Sequence, residues 1–284
     1  RFFISDEAKT RYKNYLRYIV ARWGYSPSIG MWEFFNEIDN IQFRDRNNPI
    51  PSEDIVEWHA QMAKYLKSID PYEHIVTTSI SHRDLKGLNS VPDLDINQKH
   101  IYNATSSIPK TIVDYEERFG KPYVIGEFSR EWDWSKNFDD FADEMDADFR
   151  RGLWYGVFSP TPITPMSWWW EYFENRNMVL YFKAVRKVSD MMLAESKGQF
   201  EPIEATCDGG EVYALRCGKK IYLYVYNPFD KPVTSITIKC GKGKASGFNF
   251  DTLAFSRVSS HVSEGNVVIP CSIPRLGEAL YVIK

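Results

Sequence analysis

The feature that most constrains this chain is an alternation of two hydrophobic periods. Short, nearly continuous apolar runs are separated by longer stretches in which apolar residues recur every three to four positions. The runs are Ile29–Phe35, His74–Ile80, Ile96–Tyr102, Tyr123–Phe128 and Pro162–Trp170. Continuous apolar runs read as strands buried on both faces. The stretches between them read as amphipathic helices. Ala8, Tyr12, Tyr15, Leu16, Ile19, Val20 and Trp23 make one helical face, which starts near Ser5 or Asp6. Ile55, Trp58, Met62, Leu66 and Ile69 make a second. Further helices are expected over about 107–119, 137–157 and 177–195. Strands alternating with helices predict βαβ units and a parallel sheet.

The pattern changes after about Gly198. Short β-type runs follow, at Val212–Arg216, Ile221–Tyr226, Val233–Lys239, Phe248–Phe255, Val267–Pro270 and Ala279–Ile283, punctuated by Gly, Pro, Asn and Asp. They predict a small antiparallel β-sandwich. The expected organisation is a barrel-type α/β domain over 1–197 and a β-sandwich over 198–284. Five barrel strands are counted, whereas a closed (β/α)8 TIM barrel needs eight. An open five-strand piece would expose unpaired edges and an apolar interior. The expected fold class is therefore a TIM barrel represented by its C-terminal five βα units (strands 4–8), followed by the sandwich. The first three strands would lie on a separate N-terminal fragment or a longer polypeptide.

Several partners are disfavoured. Net charge is −3 over 284 residues, which argues against a nucleic-acid binder that relies on phosphate attraction. No apolar run approaches the roughly 20 residues of a membrane span. Cys207, Cys217, Cys240 and Cys271 show no zinc spacing. They fit either one or two disulfides or four free thiols. No metal or cofactor is expected. Aromatic content is 15%, with nine Trp. Some of these rings pack the core, and others are suited to stack on the C–H faces of sugars.

Two of the strands deliver a carboxylate at their C-terminal ends, Glu37 after Trp32–Asn36 and Glu127 after Tyr123–Gly126. In a parallel barrel that end is the reactive face. Two carboxylates there are the minimum equipment for cleaving a glycosidic bond. Strand-end glutamates are also ordinary surface charges, but two at matching ends favour chemistry. Asn36 offers an amide for a sugar hydroxyl, which favours Glu37 as acid/base. Glu127 follows a glycine that lets substrate approach the backbone, which favours it as nucleophile. Glu33 shares a face with Glu37 by the strand period and needs a partner if it points inward. His100 and Tyr102 share a face at another strand end, with Tyr102 able to hold the nucleophile and His100 a sugar hydroxyl. His82, in the loop after the second strand, is a weaker sugar-binding candidate. Trp168 and Trp170 are expected on one face of the fifth strand, flooring a sugar subsite.

Together, Asn36-Glu37, His100-Ile101-Tyr102, Gly126-Glu127 and the Trp168–Trp170 segment resemble clan A glycoside hydrolases, especially the glycoside hydrolase 5 (cellulase/mannanase-like) group. The resemblance covers about Phe2 to Ser196. The stretch Arg17–Pro27 looks like bacterial, carbohydrate-degrading members. It implies that Asn36-Glu37 sits on the fourth barrel strand as acid/base and Glu127 on the seventh as nucleophile. It also implies that His100 and Tyr102 lie on the sixth, and Trp168 on the eighth. Ile38 stands where many members carry Pro. The implied activity is retaining hydrolysis of β-linked poly- or oligosaccharide by a secreted or periplasmic protein. A non-catalytic carbohydrate-binding protein on a truncated or decayed barrel is the other reading.

Overall fold

The computed structural model describes residues 2–43 and 47–284. They form two compact units whose segments interleave along the sequence. The first comprises Arg1–Tyr102, Lys110–Phe128 and Pro160–Met166, and the second comprises Asn103–Pro109, Ser129–Ser159 and Ser167–Lys284.

The first unit opens with α1 (Asp6–Trp23). The Ser5 hydroxyl accepts the Ala8 N–H at 3.3 Å, and Asp6 and Glu7 occupy the positive first turn. Helix α2 (Ser52–Ile69) buries Ile55, Trp58, Met62 and Leu66, as its period demands, and also His59 and Ala63. Both helices share a core with Phe3, Phe34, Val76 and Ile80. His59 is fully buried, and that burial lowers its pKa to about 4 despite a bond to the Ile55 carbonyl, so it packs as a neutral ring.

Strand β1 (Met31–Glu33) pairs in parallel with β2 (Ile75–Thr77). Strand β3 (Ser79–Ile80) pairs in parallel with β4 (Asn97–Tyr102), and β5 (Tyr123–Ser129) lies on the other side of β4. The expected strand 74–80 is thus divided at Thr78 between two ladders. The Thr77 and Thr78 hydroxyls bond the Ile96 and Phe35 carbonyls at 2.9 and 3.2 Å, so side chains satisfy part of what a regular ladder would. Bonds from Phe34 N–H to Thr77 O and from Ser79 N–H to Phe35 O, both 3.0 Å, extend the seam beyond β1.

The fifth expected strand does not form. Pro162 and Pro165 remove backbone donors from this segment, and Pro160 another just before it. What remains is a Phe128 N–H to Met166 O bond of 2.9 Å and a Thr161 hydroxyl on the Tyr123 carbonyl at 2.7 Å. Trp170 begins a short helix instead, so Trp168 and Trp170 do not share a strand face.

Between β4 and β5 the chain forms α3 (Ile108–Phe119), ended by Gly120 at φ 64°. The second unit holds α4 (Ala142–Val157), α5 (Trp170–Asn175) and α6 (Phe182–Ser196). It also holds ten strands: β6 (Phe200–Pro202), β7 (Ala205–Cys207), β8 (Glu211–Cys217), β9 (Lys220–Tyr226), β10 (Val233–Ile238), β11 (Ala245–Asn249), β12 (Ala254–Arg257), β13 (His261–Ser263), β14 (Asn266–Ile273) and β15 (Glu278–Ile283). They make two antiparallel sheets, ordered β12-β11-β15-β9-β8-β6 and β13-β14-β10-β7. Leu223 and Val225 from one and Ile236, Ile238, Val267 and Ile269 from the other share a core. All four cysteines are free thiols.

The helices and the larger sheet meet through a buried polar cluster. Glu278 accepts from Arg150 at 3.0 Å, Tyr181 at 2.8 Å and Tyr224 at 2.9 Å, and Trp154 donates to the Tyr181 hydroxyl.

Candidate active site

Alternation along β4 places Gln98, His100 and Tyr102 on one face. Two neighbouring chain segments bring Glu37 and Glu127 to that face. The His100 Nδ1 lies 2.9 Å from Glu37 Oε1 and 3.2 Å from Glu127 Oε2. One imidazole nitrogen therefore bridges both carboxylates. The Tyr102 hydroxyl donates to Glu127 Oε2 at 2.6 Å.

Glu37 stands just past β1 in the left-handed region, at φ 54°. A non-glycine residue there is strained by about 1–2 kcal/mol. Two bonds hold the turn: its N–H donates to Ser79 Oγ at 2.9 Å, and its carbonyl accepts the Asn40 N–H at 3.0 Å. Its second carboxylate oxygen accepts from Asn40 Nδ2 at 2.7 Å. Beside it, Asp39 is buried and collects the N–H groups of Ser81, His82 and Arg83 at 2.6, 3.0 and 3.1 Å.

The electrostatics follow from this geometry. Burial alone pushes an imidazolium down, but the hydrogen bonds and charges of Glu127 and Glu37 outweigh it and hold His100 at about 9. Burial pushes the Glu127 carboxyl up, yet the His100 and Tyr102 hydrogen bonds reverse this and leave it below its ordinary 4.5. Near neutral pH His100 is charged and Glu127 ionised. Glu37, His100 and Glu127 each offer a donor atom within 4.8 Å of the others, a spacing that a metal ion also accepts. The Nδ1 lone pair needed for ligation is protonated at neutral pH, so binding a cation would first displace that proton.

The structure thus brings together Glu37, His100, Tyr102 and Glu127 from four expected positions. Asn36 is exposed at the bend before Glu37, and His82 is exposed in the loop tied to Asp39. Trp168 and Trp170 are 45% and 56% exposed and belong to the other compact unit. Gly126 has a different reason from the one expected. A Cβ there would meet Gln98 Oε1 at 2.3 Å, so the glycine makes room for a neighbouring side chain. Gln98 in turn donates to Glu33 Oε1 at 2.8 Å, and Glu33 is exposed, so its carboxylate is not the buried charge that would have required a partner. Asp39, Asn40, Ser79 and Ser81 also belong to the site, and their one local signal is the polar Asp39-Asn40 pair, separated from Asn36-Glu37 by Ile38.

The fold is similar to that of solved glycoside hydrolases. A family 5 glycoside hydrolase from Bacteroides vulgatus superposes with a TM-score of 0.63 at 16% identity, over 97% of this chain and 66% of that one. Curated relatives are more particular and are fungal. Mannan endo-1,4-β-mannosidase F of Aspergillus clavatus is 32% identical over 154 residues, 45% of this chain and 34% of that protein. Mannan endo-1,4-β-mannosidase A of Podospora anserina is 26% identical over 156 residues, 46% and 40% respectively. The chain spans well under half the length of both. No family model matches it. Among the described residues no helix is long and apolar enough to cross a membrane.

Proposed function

We propose that this chain carries the catalytic carboxylates of a retaining glycoside hydrolase acting on β-1,4-linked mannan. The observation that carries the proposal is the pair Glu37 and Glu127, bridged by one imidazolium and with carboxylate oxygens within 4.8 Å of one another. Retaining enzymes hold their carboxyls about 5–5.5 Å apart, whereas inverting ones leave about 6.5–9.5 Å for a water. Mannan as substrate rests on the two mannosidase relatives.

In this proposal Glu127 is the nucleophile. Its depressed pKa keeps it ionised, and it attacks the anomeric carbon to form a glycosyl ester. Glu37 protonates the departing glycosidic oxygen. It then takes a proton from the water that cleaves the ester, returning both carboxyls to their starting state. Tyr102 and His100 hold the nucleophile. Asn36 and His82 contribute sugar contacts. No metal or cofactor enters the reaction.

The organisation we propose is barrel strands 4–8 within 1–197 and a β-sandwich over 198–284. The first three strands are supplied by polypeptide outside this chain or by a separate N-terminal fragment. Because polymeric mannan cannot enter a cell, the natural protein works outside the cytoplasm.

The test is turnover of β-mannan and aryl β-mannobiosides by the complete natural polypeptide and its variants. Glu127→Gln should abolish turnover, and azide should restore activity to Glu127→Ala as a glycosyl azide of inverted configuration. NMR of early products should show the β-anomer. Full activity in Glu127→Gln would sink the assignment. Retention on mannan with no turnover by the wild type would make the chain a binding protein instead.

A further inference from the structure

We propose that Asn40 is a positioning residue for Glu37, held in a single orientation by Ser81 and Asp39. The inference rests on the acid/base role proposed for Glu37. Asn40 Nδ2 donates to Glu37 Oε2 at 2.7 Å, on the carboxylate oxygen that His100 does not use. Each oxygen of Glu37 thus has one donor, from a different element. On its other side Asn40 Oδ1 lies 3.1 Å from Ser81 Oγ, which is also 2.9 Å from Asp39 Oδ2.

A proton inventory fixes the amide. A carboxylate only accepts, so Asn40 must present its NH2 to Glu37. Its Oδ1 then faces the Ser81 hydroxyl, which lies within donating distance of both Asn40 Oδ1 at 3.1 Å and Asp39 Oδ2 at 2.9 Å. Asp39 also collects three backbone N–H groups on its two oxygens. Flipping the amide would set two acceptors against each other at Glu37. Asp39 therefore anchors the 81–83 loop, Ser81 orients Asn40, and Asn40 aims the Glu37 carboxyl that must reach the departing oxygen. A misplaced acid harms only the step that needs a proton.

The test compares kcat/KM for two aryl β-mannobiosides in the complete natural polypeptide. One releases 2,4-dinitrophenolate, which departs without protonation, and the other releases phenolate, which needs the acid. Asn40→Ala should lower kcat/KM for the phenyl substrate about tenfold or more and that for the dinitrophenyl substrate by less than about twofold. Ser81→Ala leaves every backbone bond to Asp39 in place, and it should show the same selectivity to a smaller degree. A merely structural role would lower both substrates in parallel. Parallel losses, or no loss, in both variants overturn the inference. Glu37→Gln is the reference. If it lacks the leaving-group selectivity, the acid/base role itself fails. If it shows the selectivity and the Asn40 and Ser81 variants do not, only the inference about Asn40 fails.

Discussion

The bridging histidine makes a quantitative demand on stability. His100 titrates at about 9 in the fold against an ordinary 6.5. Its side chain is only 2% exposed, so solvent screens little of the interaction. At roughly 1.4 kcal/mol per pH decade, the span corresponds to about 3 kcal/mol. The sign is fixed by proton counts. Between pH 6.5 and 9 the native state binds a proton that the unfolded state has released, so stability falls as pH rises. The contribution is complete below 6.5 and lost above about 9. Glu127 acts at the other end. Its folded pKa lies below 4.5, so its contribution is present above 4.5 and lost as pH falls through that lowered value. Urea unfolding followed by tryptophan fluorescence, for wild type and His100→Gln from pH 5 to 10, isolates the histidine. The stability gap between them should shrink by about 3 kcal/mol between pH 6.5 and pH 10. An unchanging gap, or an NMR titration of His100 near 6.5, would refute the reasoning.

Other outcomes follow from single contacts. Tyr102→Phe removes a 2.6 Å bond to an ionised carboxylate, worth about 1.5–3 kcal/mol, so kcat/KM should fall about 10- to 100-fold and the acid limb of its pH profile should move upward. Gly126→Ala should destabilise by about 1 kcal/mol by crowding Gln98, and in a Gln98→Ala background the penalty should vanish; equal penalties in both backgrounds would show that Gln98 is not the obstacle. Glu278→Ala strips the partner from Arg150 and two tyrosines, with the Glu278 side chain 10% exposed, so a loss of about 3–5 kcal/mol is expected in thermal or urea unfolding. Ser79→Ala leaves the strained Glu37 N–H without its acceptor and should cost about 1–3 kcal/mol in the same assay, together with activity.

What was legible in the sequence depended on range. Helix α1 declared itself through period and cap and α2 through period alone, because those forces act within four residues. The pairing of His100 with Tyr102 was legible for the same reason: alternate residues share a face in any strand. The carboxylate pair emerged because both apolar runs end in glutamate. Gly126 has a further, non-local reason that the sequence does not show, the Gln98 side chain on a neighbouring strand. The fifth expected strand fails because Pro162 and Pro165 remove ladder donors from an otherwise apolar run. The left-handed turn at Glu37 carries no local signature, as glutamate rarely adopts it. Ser79 stabilises it from 42 residues away. His100 was read as a sugar ligand, whereas its Nδ1 is committed to both carboxylates.

That last difference bears on how the site holds its catalytic proton. Two carboxylates this close repel each other, and usually one of them is forced to protonate. Here the proton resides on the imidazole between them, so the trio of Glu37, His100 and Glu127 carries one labile proton and a net charge of −1. Under the proposed roles, the acid step needs that same proton on Glu37 while Glu127 stays ionised. The two arrangements have equal charge and proton count and differ only in which end of the 2.9 Å Nδ1–Oε1 contact holds the proton. Arming the acid is therefore an internal transfer, requiring no proton from solvent. Tyr102 biases its direction by donating to Glu127 rather than to Glu37. The pH at which acid catalysis fails is then set by the trio as a unit.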